Sequence, residues 1–303
     1  MTAFVFPGQG SQNVGMGKDF YDNFPEARAV FEEASDSTGE DMAKLCFDSD
    51  EETLSLTFNA QPAILTVSTA ALAALEKETE LKPEFVAGHS LGEYSALVCA
   101  GAIKFSDAVR TVRKRGELMQ EAVPSGEGAM AAIIGLAKKD VEDICAASGD
   151  GGVWPANYNS PEQTVISGAA GAVERAGKEA LERGAKRAVP LKVSAPFHCP
   201  LMSPAAEKLA AFLDEVKVSE IKTPVVTNFE AEGNGDPQRV KELLLKQITG
   251  PVRWSESVEY MKSGGVGKFI EIGPGRALCG LIRRTVAAAE TANLEMAEHL
   301  HKI

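Results

Sequence analysis

The sequence predicts an α/β protein in which a large lobe built on a mainly parallel sheet carries a smaller inserted lobe. Three observations predict it. Short apolar runs alternate with helical patterns over 1–125 and again over 193–303. The segment between them, 126–192, reads as strand, helix, strand, strand, helix, strand, the order of a ferredoxin-like split. Residues 85–99 read as strand, tight turn and helix, with a serine at the apex.

In chain order, 3–6 is a short strand running into Pro7-Gly8-Gln9-Gly10-Ser11-Gln12, a loop that can bring backbone N–H groups close to a ligand. It is not a P-loop. Counted back from Gly17-Lys18, that motif needs glycine where Gln12 stands and Ser or Thr where Asp19 stands. Residues 24–47 read as a helix with an acidic connection, and 61–78 as a buried helix.

Next comes Gly88-His89-Ser90-Leu91-Gly92-Glu93-Tyr94, after the apolar run 85–87. This is the G-x-S-x-G elbow, in which glycines leave room where strand and helix nearly touch and the serine hydroxyl is pushed out of the sheet. A helix beginning at Ser90 sets its positive end beside any oxyanion formed there.

A helix opens near Ser106 as N-cap, with Phe105, Val109, Val112, Met119 and Val123 at helical spacing. Arg110, Arg113 and Lys114 point away from that stripe, whereas Arg115 lies on its edge. A guanidinium turned toward a core needs an anion, either a structural carboxylate or a substrate.

The insert follows, with strands at 129–136, 153–158, 163–167 and 186–193 and helices at 138–147 and 172–183. Pro124-Ser125-Gly126 and Ser194-Ala195-Pro196 bound it, giving a discontinuous core of 1–125 and 193–303 around a subdomain of 126–192. Beyond it come helices at 202–216, 237–248 and 254–261, strands at 225–229 and 268–272, and a Gly273-Pro274-Gly275 turn into a helix ending near Arg284.

Composition narrows the function. With 31 Lys plus Arg against 43 Asp plus Glu, the net charge of -12 argues against nucleic acid or an anionic membrane as a general partner. Five scattered cysteines without a C-x-x-C pair imply reduced thiols, no metal and a cytoplasmic setting. No basic stretch precedes an apolar one at the amino terminus, and the apolar segment 60–75 is broken by Gln61, Thr66, Ser68 and Thr69, so neither export nor membrane spanning is expected.

A serine hydroxyl needs a neighbouring base, usually histidine. Of four histidines, His89 adjoins the serine and should point away from the space above it, and His299 and His301 lie in a polar tail. His198 remains, in the loop Pro196-Phe197-His198-Cys199-Pro200 at the lobe junction. No acid between Ser90 and His198 presents itself as the orienting member of a triad, so another acceptor must hold the imidazole.

The motifs Pro7-Gly8-Gln9-Gly10-Ser11-Gln12, Gly88-His89-Ser90-Leu91-Gly92-Glu93-Tyr94, Arg115-Gly116, Asn157-Tyr158-Asn159-Ser160-Pro161, Pro196-Phe197-His198-Cys199 and Gln247-Ile248-Thr249-Gly250-Pro251-Val252 stand in one order along nearly the whole chain. Together they resemble the malonyl-CoA:acyl carrier protein transacylase family, whose pattern also occurs in acyltransferase domains of polyketide and fatty acid synthases. The resemblance implies an α/β-hydrolase-like core with a ferredoxin-like lobe. It also implies Ser90 as acyl-accepting nucleophile, His198 as general base and acid, and Arg115 as partner of the malonyl carboxylate. The backbone N–H groups of Gln9 and Leu91 would form the oxyanion hole, and the main-chain carbonyl of Gln247 would hold His198.

Malonyl-CoA and, transiently, acyl carrier protein are then the partners, with no cofactor. Phe197 beside the base should crowd a branched acyl group. Asn157 and Asn159 position substrate or His198, or cap a turn, and His89 packs the elbow or serves the site. For an acidic carrier, Lys186, Arg187 and Lys192 are candidate contacts, with Arg283 and Arg284 as alternatives. The rival reading is a serine thioesterase or esterase on the same elbow, told apart by whether water or a carrier thiol discharges the acyl-enzyme.

Overall fold

The computed structural model describes residues 1–124, 126–148, 152–193 and 195–303. Its strands are, in chain order, β1 (Thr2–Phe6), β2 (Phe85–Gly88), β3 (Gly128–Ile134), β4 (Val153–Ser160), β5 (Gln163–Ala169), β6 (Arg187–Pro190), β7 (Val225–Val226), β8 (Gly233–Asn234), β9 (Lys268–Ile272) and β10 (Glu290–Leu294). They form two sheets. The larger has the order β10-β9-β1-β2-β7-β8, parallel throughout except for the last pair.

Apolar residues on both faces of β1 explain why this sheet is covered twice. Phe4 and Phe6 join the core under the helices Pro25–Thr38, Thr57–Glu78 and Phe105–Glu121, while Ala3 and Val5 join a second core with Trp254, Val258 and Ile282. Helix Thr57–Glu78 has the length and apolarity of a membrane span, yet 83% of its most apolar window is buried inside the protein. Those residues are core.

The smaller sheet is antiparallel, ordered β4-β5-β3-β6, with helices Lys138–Ala147 and Ala170–Glu182 supplying its apolar cover. This is the strand order of a ferredoxin-like split. Of the two expected boundaries, Ser125 and Ser194 lie outside the described residues. The sheets meet where β4 is joined by Val252 of the large lobe: Tyr158 N donates to Val252 O at 2.8 Å, and Val252 N donates to Ala156 O at 2.8 Å.

Several elements differ from the sequence pattern for identifiable reasons. The helix expected to be capped by Ser106 starts at Phe105, because Lys104 O already accepts from Ala108 N. The strand expected at 129–136 stops at Ile134, since Gly135 turns with φ of 85°. The strand expected at 225–229 keeps only two residues, as Asn228 leaves the sheet and its N–H donates to the Glu93 carboxylate at 3.0 Å. The strand expected at 186–193 is shortened to Arg187–Pro190, and β10 has no counterpart in the pattern because Glu290, Ala292 and Asn293 are weak strand formers.

The turn after β2 depends on two glycines. A Cβ on Gly88 would sit 1.9 Å from the backbone of Gly92, and one on Gly92 would sit 2.1 Å from Phe6 O. No rotamer change relieves a clash with backbone. Gly88→Ala and Gly92→Ala should therefore each cost about 3 kcal/mol or more in urea unfolding. Gly280, in helix Ala277–Thr285 with open space at its Cβ position, should instead gain up to about 1 kcal/mol as alanine in the same assay.

Candidate active site

The chain leaves β2 through His89 and Ser90 and enters helix Gly92–Cys99, two residues later than the pattern places the helix start. Ser90 itself is left-handed, with φ of 52°, a conformation that costs a non-glycine residue about 1–2 kcal/mol and persists only where neighbours enforce it. Its N–H donates to Asn228 Oδ1 at 2.6 Å, and its carbonyl accepts from Gln247 Nε2 at 2.9 Å. Both backbone groups of the strained residue are held by side chains.

Ser90 Oγ lies 2.7 Å from His198 Nε2. On the far side of the ring, Nδ1 lies 2.8 Å from the main-chain oxygen of Gln247. A carbonyl only accepts, so Nδ1 carries the proton and Nε2 is left to accept from the serine hydroxyl. Burial, and then the positive charge of Arg115, pull the His198 pKa from 6.5 down to about 3. Near neutrality the imidazole is uncharged and able to take a proton.

Arg115 reaches the same hydroxyl from helix Phe105–Glu121. It is 1% exposed, and its Nη2 donates to Ser90 Oγ at 3.1 Å and to Gln247 Oε1 at 2.9 Å, while Nη1 donates to Gln61 Oε1 at 2.7 Å. All of these acceptors are neutral oxygens. Among the described residues Arg115 forms no salt bridge, and its Nε–H is buried without an acceptor. Glu93 is the nearby counter-charge, yet it meets Arg115 through the Gln247 amide, whose Nε2 donates to Glu93 Oε2 at 2.8 Å. Burial pushes the Glu93 carboxyl up to about 7.

A cleft of about 500 Å³ opens over this group, lined by Gln9, His89, Ser90, Leu91, Arg115, Asn157, Asn159, Phe197 and His198 together with the apolar side chains of Met130 and Val165. Gln247 sits behind the wall, fully buried. His89 borders the cleft, but its imidazole packs at a tilt against the Trp254 ring, centroids 5.8 Å apart, and its Nε2 is 2.8 Å from Asn159 Oδ1, so it is not engaged with Ser90. Asn157 and Asn159 lie within β4, not in a turn. Among the basic residues considered for a carrier surface, Lys192 borders the cleft, Lys186 pairs with Glu162, and Arg284 donates to Gln163.

Three members of the network were not singled out by sequence reasoning. Gln61 had a visible signal, as an amide inside an apolar helix. Glu93 stood inside the elbow motif, one helical turn after the serine, but read as part of a pattern and not as a functional acid. Asn228 carried no signal, because only the fold brings it to the elbow. Among the described residues no group of three or more His, Cys, Asp or Glu side chains could hold a metal ion.

Fold and family model agree on the class. Residues 3–302 match the family described as the acyl transferase domain, which makes the chain an acyltransferase. It belongs, within that class, to the malonyl CoA-acyl carrier protein transacylase family. The transacylase of Bacillus subtilis (strain 168) is 50% identical over 304 residues, covering 97% of this chain and 95% of the relative. That of Escherichia coli (strain K12) is 49% identical over 287 residues, covering 94% and 92%. Among solved structures, the Coxiella burnetii transacylase superposes with a TM-score of 0.97 at 44% identity, covering 99% of this chain and 96% of that one. A malonyl-transacylase in complex with its type II polyketide acyl carrier protein gives 0.97 at 46%, covering 99% and 98%.

The depressed His198 pKa has a consequence for stability. Between about 3 and 6.5 the unfolded chain binds a proton at this histidine that the folded chain does not, so this contribution is fully present above 6.5 and is lost as pH falls. Removing the group removes the slope. His198→Gln should gain on wild type by roughly 1.4 kcal/mol per pH unit as pH drops from about 6.5 to 5, read from urea unfolding at each pH.

Proposed function

We propose that this enzyme moves a malonyl group from malonyl-CoA to the phosphopantetheine thiol of acyl carrier protein through a malonyl ester of Ser90. The observation that carries the reading is Arg115: a buried guanidinium with a spare N–H and, among the described residues, only neutral protein acceptors, aimed at the hydroxyl that would carry the acyl group. Such a cation favours an acyl group ending in a carboxylate, since a charge-assisted pair fixes the thioester carbonyl beside Ser90.

Ser90 Oγ attacks that carbonyl while His198 Nε2 takes its proton. The N–H groups of Gln9 and Leu91, both at the cleft wall, hold the oxyanion, each such donor lowering the barrier by about 3 kcal/mol in comparable enzymes. The N–H of Ser90 is already committed to Asn228 and takes no part. The C–S bond then breaks, and CoA leaves as the thiol with the proton from His198. In the second half the carrier thiol gives its proton to His198 and attacks the malonyl ester, and the serine hydroxyl is restored, a ping-pong exchange that consumes no water and needs no cofactor.

Phe197, at the cleft wall beside His198, narrows the space for a branched acyl group, which supports malonyl over methylmalonyl. We read residues 126–192 as a subdomain inserted in a discontinuous core of 1–125 and 193–303, because, among the described residues, β3–β6 form a sheet that shares no strand with the larger one. A cytoplasmic setting is part of the reading, supported by five cysteines that are all unpaired.

Intact-protein mass after brief mixing with malonyl-CoA tests the proposal. A malonyl adduct should form on wild type, be absent from Ser90→Ala, and move to phosphopantetheinylated carrier when that is added. Discharge to water faster than to the carrier would make the enzyme a thioesterase. Arg115→Ala should lower kcat/KM for malonyl-CoA by about 2–4 kcal/mol in transition-state terms while changing acetyl transfer far less. An unchanged malonyl-to-acetyl ratio would show that Arg115 does not select the carboxylate.

A further inference from the structure

One buried carboxylate is tied, through two amide residues, to both Ser90 and Arg115 without lining the cleft. Glu93 is 2% exposed, and its Oε2 accepts from two groups at once, Asn228 N at 3.0 Å and Gln247 Nε2 at 2.8 Å. Those two residues hold the elbow. Asn228 Oδ1 accepts from Ser90 N and its Nδ2 donates to Gly88 O at 2.6 Å, while Gln247 Nε2 donates to Ser90 O.

An amide has a donor end and an acceptor end that are nearly the same shape, so its orientation is set by its neighbours. Glu93 Oε2 draws the Gln247 NH₂ toward itself and thereby turns Gln247 Oε1 to Arg115 Nη2. With the amide reversed, an NH₂ would face the guanidinium and a carbonyl oxygen would face Ser90 O. Both contacts would be repulsive.

We propose that Glu93 is a positioning residue: its Oε2, as a double hydrogen-bond acceptor, fixes Asn228 and Gln247, and through them the left-handed Ser90 and the direction of Arg115. This rests on the acyl-serine reading for its consequence but not for its geometry. The acceptor oxygen, and not the charge, is the working feature, because a glutamine can set its amide oxygen where Oε2 stands. An aspartate keeps the charge but is a methylene too short to reach both donors.

Three variants, Glu93→Gln, Glu93→Asp and Glu93→Ala, compared with wild type separate these roles by two readouts. The first is the rate of Ser90 labelling by a fluorophosphonate, which carries no carboxylate and reports the elbow alone. The second is single-turnover malonyl-adduct formation, with KM and kcat separated. Glu93→Gln should stay within about threefold of wild type in both. Glu93→Asp and Glu93→Ala should lose about 100-fold or more in labelling at unchanged near-ultraviolet circular dichroism, and should also raise KM for malonyl-CoA as Arg115 loses its direction.

Activity retained in Glu93→Asp and lost in Glu93→Gln would overturn the proposal in favour of a charge role. Wild-type labelling in Glu93→Ala would overturn it outright. Should Glu93→Ala not fold, the Gln and Asp variants decide alone. If wild type is labelled by the fluorophosphonate yet takes no malonyl group, the functional reading fails while the labelling series still tests the positioning.

Discussion

The site depends on one close approach of backbone to backbone. β2 and the helix after it come so near that Gly88 has no room for a methyl group, the end of β1 crowds Gly92 in the same way, and the two residues between His89 and Gly92 must complete the turn. Ser90 therefore takes a left-handed conformation and projects its hydroxyl into the cleft. His198 is left-handed as well, with φ of 59°, in a loop flanked by Pro196 and Pro200. The two strained residues face each other at 2.7 Å. Strain of this kind survives only where the surroundings supply more constraints than the backbone needs; the Asn228 and Gln247 side chains hold the Ser90 backbone, and the Gln247 main-chain oxygen holds the His198 ring.

Electrostatics then set what the hydroxyl can do. Three ionisable groups, Arg115, Glu93 and His198, are buried within one hydrogen-bonded network, and burial acts on each toward its neutral form. The outcomes differ by residue type. A guanidinium keeps its charge, and it suppresses protonation of His198, so a cation that suits a carboxylate also keeps the base free. The missing triad acid follows from the same arrangement, since a carboxylate at Nδ1 would favour imidazolium, whereas the Gln247 carbonyl fixes the tautomer without adding charge.

The stretch 247–254 ties the two sheets to this network. Gln247 closes the site from the last turn of helix Val240–Thr249, Val252 pairs with β4, and Trp254 opens the next helix beneath His89. That pairing brings Asn157 and Asn159 to the cleft wall and lets Met130 and Val165 of the smaller sheet form its apolar side. The smaller lobe thus contributes surface to the cleft while Ser90, Arg115 and His198 all come from outside β3–β6.

Much of this was legible in the sequence. Alternation of apolar runs with helical patterns determined the α/β class, the order βαββαβ determined the smaller sheet, and the spacing of Gly88, Ser90 and Gly92 determined the elbow, because each is a local rule of backbone geometry. Arg115 stood out because a charge on the edge of an apolar stripe is itself anomalous, and His198 because only four histidines exist. Tertiary structure alone decided which side chains hold the Ser90 backbone. Asn228 lies 138 residues from Ser90 and Gln247 lies 157 from it, and Glu93, a short step from the serine, gains its place only when those two arrive. Hydrogen bonds between distant segments leave no period in the chain, so the sequence determined which groups could do chemistry and the fold decided which neighbours would orient them.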